Sequence, residues 1–83
     1  MNNGKFKTSD LYVAAWLLTQ GLVLEGVDGS DSRRLDFTFE DRADRPELVK
    51  DFIAGRAKGN VSDYIYQLKR VKNLLYAELK GNR

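Results

Sequence analysis

Apolar residues crowd the segment Leu11, Tyr12, Ala14, Ala15, Trp16, Leu17 and Leu18, wrapping more than one side of a helix, as in a helix covered on two faces. Thr8 or Ser9 can cap its start, Asp10 suits the positive end of its dipole, and Gly21 closes it as a C′ residue would. A first helix is therefore expected over about residues 9–20.

From Leu22 to Val27 the chain turns aliphatic and β-branched. A turn-rich stretch, Asp28-Gly29-Ser30-Asp31-Ser32, follows, and then Leu35, Phe37 and Phe39 alternate with Asp36, Thr38 and Glu40. Strict alternation predicts a strand with one buried and one wet face, and the pair reads as a β-hairpin. Pro46 sits well at the first position of a second helix, with Asp44 before it as cap and Gly55 as its stop. Leu48, Val49, Phe52 and Ile53 line one face of that helix, over about residues 46–54.

After a loop at residues 56–60, Asn60 or Ser62 caps the longest helix, which carries Val61, Ile65, Leu68, Val71 or Lys72, Leu75 and Leu79 at three- and four-residue spacing. The order is α-β-β-α-α, which predicts one small α+β domain over residues 1–83, an antiparallel hairpin packed with three helices. Residues 1–8 and 81–83 are expected to be flexible ends. Because a lone two-stranded sheet is marginal in water, a homodimer paired through the hairpin edge, or through the apolar first helix, is also expected.

The 83-residue chain has 42% hydrophobic and 31% charged residues, an ordinary globular balance, and a single domain is all that such a length supports. It contains no Cys and no His, so a disulfide framework and the usual zinc ligands are excluded. No apolar run approaches a membrane span and the N-terminal segment resembles no leader, so a cytoplasmic protein without membrane contact is expected. The net charge of +2 conceals an asymmetry: residues 1–55 hold seven Lys/Arg against ten Asp/Glu, whereas residues 56–83 hold seven against two. Such a basic end suits a phosphate backbone or an acidic partner.

Candidate chemistry is sparse. Without His, the commonest general acid or base is missing. The acidic run from Glu40 to Glu47 is interleaved with Arg at a strand-to-helix junction, where acids serve as caps and dipole partners. Gly26-Val27-Asp28-Gly29-Ser30 leads into a strand rather than a helix and reads as a hairpin turn, not a phosphate loop. No serine has a neighbouring base, so no enzyme is expected and no cofactor or metal is assigned.

What remains is the last helix. Tyr66, Lys69, Asn73, Tyr76 and Lys80 fall on one stripe with Arg70 beside it, apart from the apolar row. Lys and Arg neutralise phosphates and Tyr can stack on a base. Together with Arg56 and Lys58 in the preceding loop, these residues are the candidate surface for nucleic acid. The alternative partner class is another protein, met through the aromatic row or the acidic junction in an adaptor of phage or mobile-element type.

Two resemblances bear on this reading. Phe6-x-Thr8-x-Asp10-Leu11 with Ala14, Leu18 and Gly21, then Phe37-x-Phe39-Glu40-Asp41, Leu48-Val49 to Gly55, and Leu68-Lys69 to Leu75-Tyr76 resemble a family of small bacterial and phage-associated proteins of unknown function. That likeness covers nearly the whole chain and implies the fold order and a prokaryotic cytoplasmic setting, but no site. Residues 34–65 also partly resemble ribbon-helix-helix DNA-binding proteins, with residues 34–40 as ribbon and the segment from Gly59 to Ile65 as the turn into the second helix. This second likeness implies that Arg34, Asp36 and Thr38 enter the major groove.

Overall fold

The computed structural model describes residues 4–29 and 34–81, with side chains to residue 78. The elements are β1 (Lys5–Thr8), α1 (Leu11–Thr19), β2 (Leu24–Asp28), β3 (Asp36–Glu40), α2 (Arg45–Ile53) and α3 (Val61–Gly81). The expected helices and hairpin strands are present in the expected order, making a small α+β domain. The proposed turn residues Ser30, Asp31 and Ser32 lie outside the described residues, as do the chain ends at 1–3 and 82–83.

The structure adds a strand. Residues 5–8, expected to belong to a flexible N-terminus, form β1, and the sheet has three antiparallel strands in the order β1-β3-β2. Phe6 pairs with Phe39 and Thr8 with Phe37 on one side of β3, while Leu24 faces Phe39 and Val27 faces Phe37 on the other. Directly opposed residues share a face, so Phe6, Phe37, Phe39, Leu24 and Val27 make the inner surface. A bulge between Leu24 and Gly26 leaves Glu25 as the extra residue, and its carboxylate pairs with Lys5 from the far strand.

With β1 in place, β3 is central and both of its edges are paired. The ribbon that a ribbon-helix-helix dimer needs is therefore not free, because β1 occupies the edge through which a second copy's strand would pair. The marginal two-stranded sheet is completed within the chain itself.

α1 fills the middle of the molecule. Its Val13, Ala14, Ala15, Trp16 and Leu17 are all buried; all but Trp16 join Leu22, Leu35, Phe37, Phe39 and Val71 in one core, and Trp16 packs on Phe52 and Tyr64. Covered on two sides, the helix needs no polar face there. Phe37, Phe39, Leu17 and Val71 are the largest fully buried side chains, each contributing about 1.5–3 kcal/mol relative to exposure.

The cap of α1 is Asp10, whose carboxylate accepts the amides of Tyr12 and Val13 at 2.9 and 3.2 Å. Thr8 is held in β1 and instead accepts the Asp10 amide through its hydroxyl at 3.0 Å. At the other end Gly21 has φ 88°. There Leu22 donates to the Leu17 carbonyl and Gly21 to that of Leu18, both at 3.0 Å, a Schellman closure. Gly55, at φ 79°, ends α2 in the same way, with Arg56 donating to the Asp51 carbonyl at 2.8 Å and Gly55 to that of Phe52 at 3.2 Å.

Candidate nucleic-acid interface

α3 begins at Asn60, whose side-chain oxygen accepts the Asp63 amide at 2.9 Å, so Asn60 rather than Ser62 is the cap. Gly59 lies beside Trp16 and Gln20, while Tyr64 donates its hydroxyl to the Tyr12 carbonyl at 3.3 Å. α3 therefore runs antiparallel to α1. Its inward row is Tyr64, Leu68, Val71 and Leu75. Val61 and Ile65, expected in that row, are 71% and 45% exposed. Leu68, Val71 and Leu75 hold their expected inward places; only in the first turn does Tyr64 replace Val61 and Ile65, because it fits its ring among Trp16 and Phe52 at 6.3 and 6.1 Å and still finds a partner for its hydroxyl.

With that row inward, the opposite row faces outward. Tyr66 and Tyr76 are 65% and 59% exposed, and Lys69, Arg70 and Asn73 are exposed with them. Tyr66, Lys69, Arg70, Asn73, Leu74 and Ala77 line a shallow groove of about 530 Å³. Four of the sequence-derived candidates therefore share one site, and Leu74 and Ala77 add an apolar floor that the charge pattern did not reveal. Tyr76 belongs to the same outward face. The side chain of Lys80 lies outside the described residues.

Arg56 and Lys58 stand apart, in the loop between α2 and α3, and neither is among the groove's lining. Arg56 is paired with Asp51 at 3.3 Å. Arg34, Arg42 and Arg45 are paired as well, with Asp36, Asp44 and Asp41. Among the described arginines, Arg70 alone has no carboxylate partner; it reaches only the Gln67 side-chain oxygen, at 3.3 Å. Lys69 likewise makes no ion pair among the described residues.

The acidic junction is built differently. Arg42 forms two bonds to the Asp44 carboxylate, at 2.7 and 3.1 Å, and also donates to the Gln20 carbonyl at the end of α1. Asp44 precedes α2 without a side-chain capping bond, since Arg42 holds its carboxylate instead. Arg45 forms two bonds to Asp41, at 2.9 and 3.2 Å, and its guanidinium lies 4.1 Å from the centre of the Phe6 ring. These bonds hold the Asp41 and Asp44 carboxyls below their usual pKa. The acids tie β1, α1 and α2 together at this corner.

A model of DUF5659, a domain of unknown function, matches residues 3–77. The chain belongs to the DUF5659 family. The DUF5659 match spans β1 through most of α3 and so includes every described residue of the groove, while Lys80 lies beyond it. No curated protein and no solved structure matches the chain. Among the described residues of this DUF5659 protein, no helix is long and apolar enough to cross a membrane.

Proposed function

We propose that this chain is a non-enzymatic binding module that holds nucleic acid on the outward face of α3. The observation carrying the reading is the contrast among the described arginines: Arg34, Arg42, Arg45 and Arg56 each meet a carboxylate, whereas Arg70 meets none among the described residues and lies with Lys69 beside an exposed tyrosine. Cations without carboxylate partners are available to displace the counterions of a phosphate chain. Exposed phenol rings add stacking surfaces. A bacterial cytoplasmic setting, consistent with a chain lacking cysteine, and pairing of two copies belong to the same proposal.

Fluorescence anisotropy of labelled oligonucleotides at low and at physiological salt tests it. The expected result is binding that weakens as salt rises and is lost in the Lys69→Glu, Arg70→Glu double variant. Wild-type affinity in that variant would overturn the assignment of the site.

A second reading, a protein-interaction adaptor, is favoured by Val61 and Ile65, apolar neighbours one turn apart on α3 and both exposed. Contacts made there would respond little to salt and would survive the double charge reversal.

A further inference from the structure

We infer that the nucleic acid held on α3 is single-stranded and that its bases stack on Tyr66 and Tyr76; this inference rests on the nucleic-acid reading above. A duplex keeps its base faces stacked and presents only edges and phosphates. An unpaired strand presents both phosphates and flat apolar base faces, and the outward row of α3 complements both.

The two rings are each more than half exposed and ten positions apart on a continuous helix, about 15 Å along its axis at 1.5 Å per residue. Lys69, Arg70 and Asn73 lie between them in sequence. The order along the helix is thus ring, two cations, amide, ring, which alternates surfaces for bases with groups for the backbone. At about 3.4 Å per stacked nucleotide, the interval corresponds to roughly four to five steps. That length falls within the about 4–16 nucleotides of known single-strand sites.

The floor of the groove argues in the same direction. Leu74 and Ala77 beside Tyr66 offer an apolar bed that suits a base face, whereas a helix reading a major groove presents donors and acceptors to base edges. Charge supplies a third argument. Lys69 and Arg70 provide two cations, against about six to ten phosphate contacts in proteins that hold duplex largely by charge. Electrostatics alone would leave duplex binding weak, and stacking supplies what the charge does not.

The test compares a labelled oligothymidylate of about twelve nucleotides with a duplex of equal length, by anisotropy at low salt. The single strand should bind at least about tenfold more tightly. Tyr66→Ala and Tyr76→Ala should each weaken it by about tenfold without changing the salt slope, and Tyr66→Phe should retain binding. Both tyrosines are exposed, so circular dichroism should show the variants folded. Equal or tighter binding of the duplex would overturn the single-strand inference and leave the nucleic-acid reading intact. Unchanged affinity in both alanine variants would overturn the stacking. Failure of both the single strand and the duplex to bind at low salt would overturn both readings.

Discussion

Gly59 passes so close to Trp16 that a β-carbon placed on it would stand 3.2 Å from both Cη2 and Cζ3 of the indole. The indole has little room to yield. It is 6% exposed, stacked on Phe52 with ring centres 5.7 Å apart, and donates its N–H to the Leu48 carbonyl at 3.2 Å. Gly59→Ala should therefore destabilise the fold by about 1 kcal/mol. Overpacking at about 1–3 kcal/mol outweighs the roughly 0.4–1 kcal/mol gained by stiffening the unfolded chain. Urea unfolding followed by the fluorescence of Trp16, the only tryptophan, measures this directly; a more stable variant would mean that the loop moves aside freely.

The phase of α3 separates two valines of the same helix. Val71 is fully buried and Val61 is 71% exposed. Val71→Ala should cost about 2 kcal/mol, whereas Val61→Ala should stay within about 0.5 kcal/mol of the parent. Equal losses in thermal or urea unfolding would place Val61 in the core and return the first turn of the helix to the phase its sequence spacing favours.

Burial raises the pKa of the Tyr64 phenol, and the charges of Asp10 and then Tyr12 act in the same direction. Its contribution to stability is whole below the unfolded phenol's value of about 10 and is lost as pH rises through the higher folded value. Unfolding midpoints measured from pH 8 upward should therefore fall beyond about pH 10, and less steeply in Tyr64→Phe than in the parent. Parallel curves for the two proteins would show that Tyr64 ionises as readily folded as unfolded.

Most of this architecture is legible in the chain. The crowded apolar residues of α1, the alternation around Phe37 and Phe39, and the stops at Gly21 and Gly55 are local signals, and the structure uses each as expected. β1 is harder to read because Lys5-Phe6-Lys7-Thr8 offers only one large apolar residue, and its partner β3 lies about thirty residues away. The only sequence trace is the alternation of Phe6 between two lysines. The first turn of α3 is ambiguous in the sequence because Tyr64 and Ile65 both lie at apolar spacing from Leu68. The aromatic neighbours of Tyr64, which come from α1 and α2, decide it. Of the candidate site, the row from Tyr66 to Tyr76 is visible from helical spacing. The pairing of Arg56 with Asp51 depends on how the chain turns at Gly55, which composition does not specify.

The place of β1 in the sheet also orders events during synthesis. β2 and β3 are neighbours in the chain and can pair as soon as both have emerged, whereas Phe6, made long before, must wait for Phe39 to exist before it has a surface to cover. Until Glu40 has been added, β1 and the α1 residues that pack with Phe37 and Phe39 remain without those partners. The growing chain therefore passes through an interval in which β1 is exposed for want of β3.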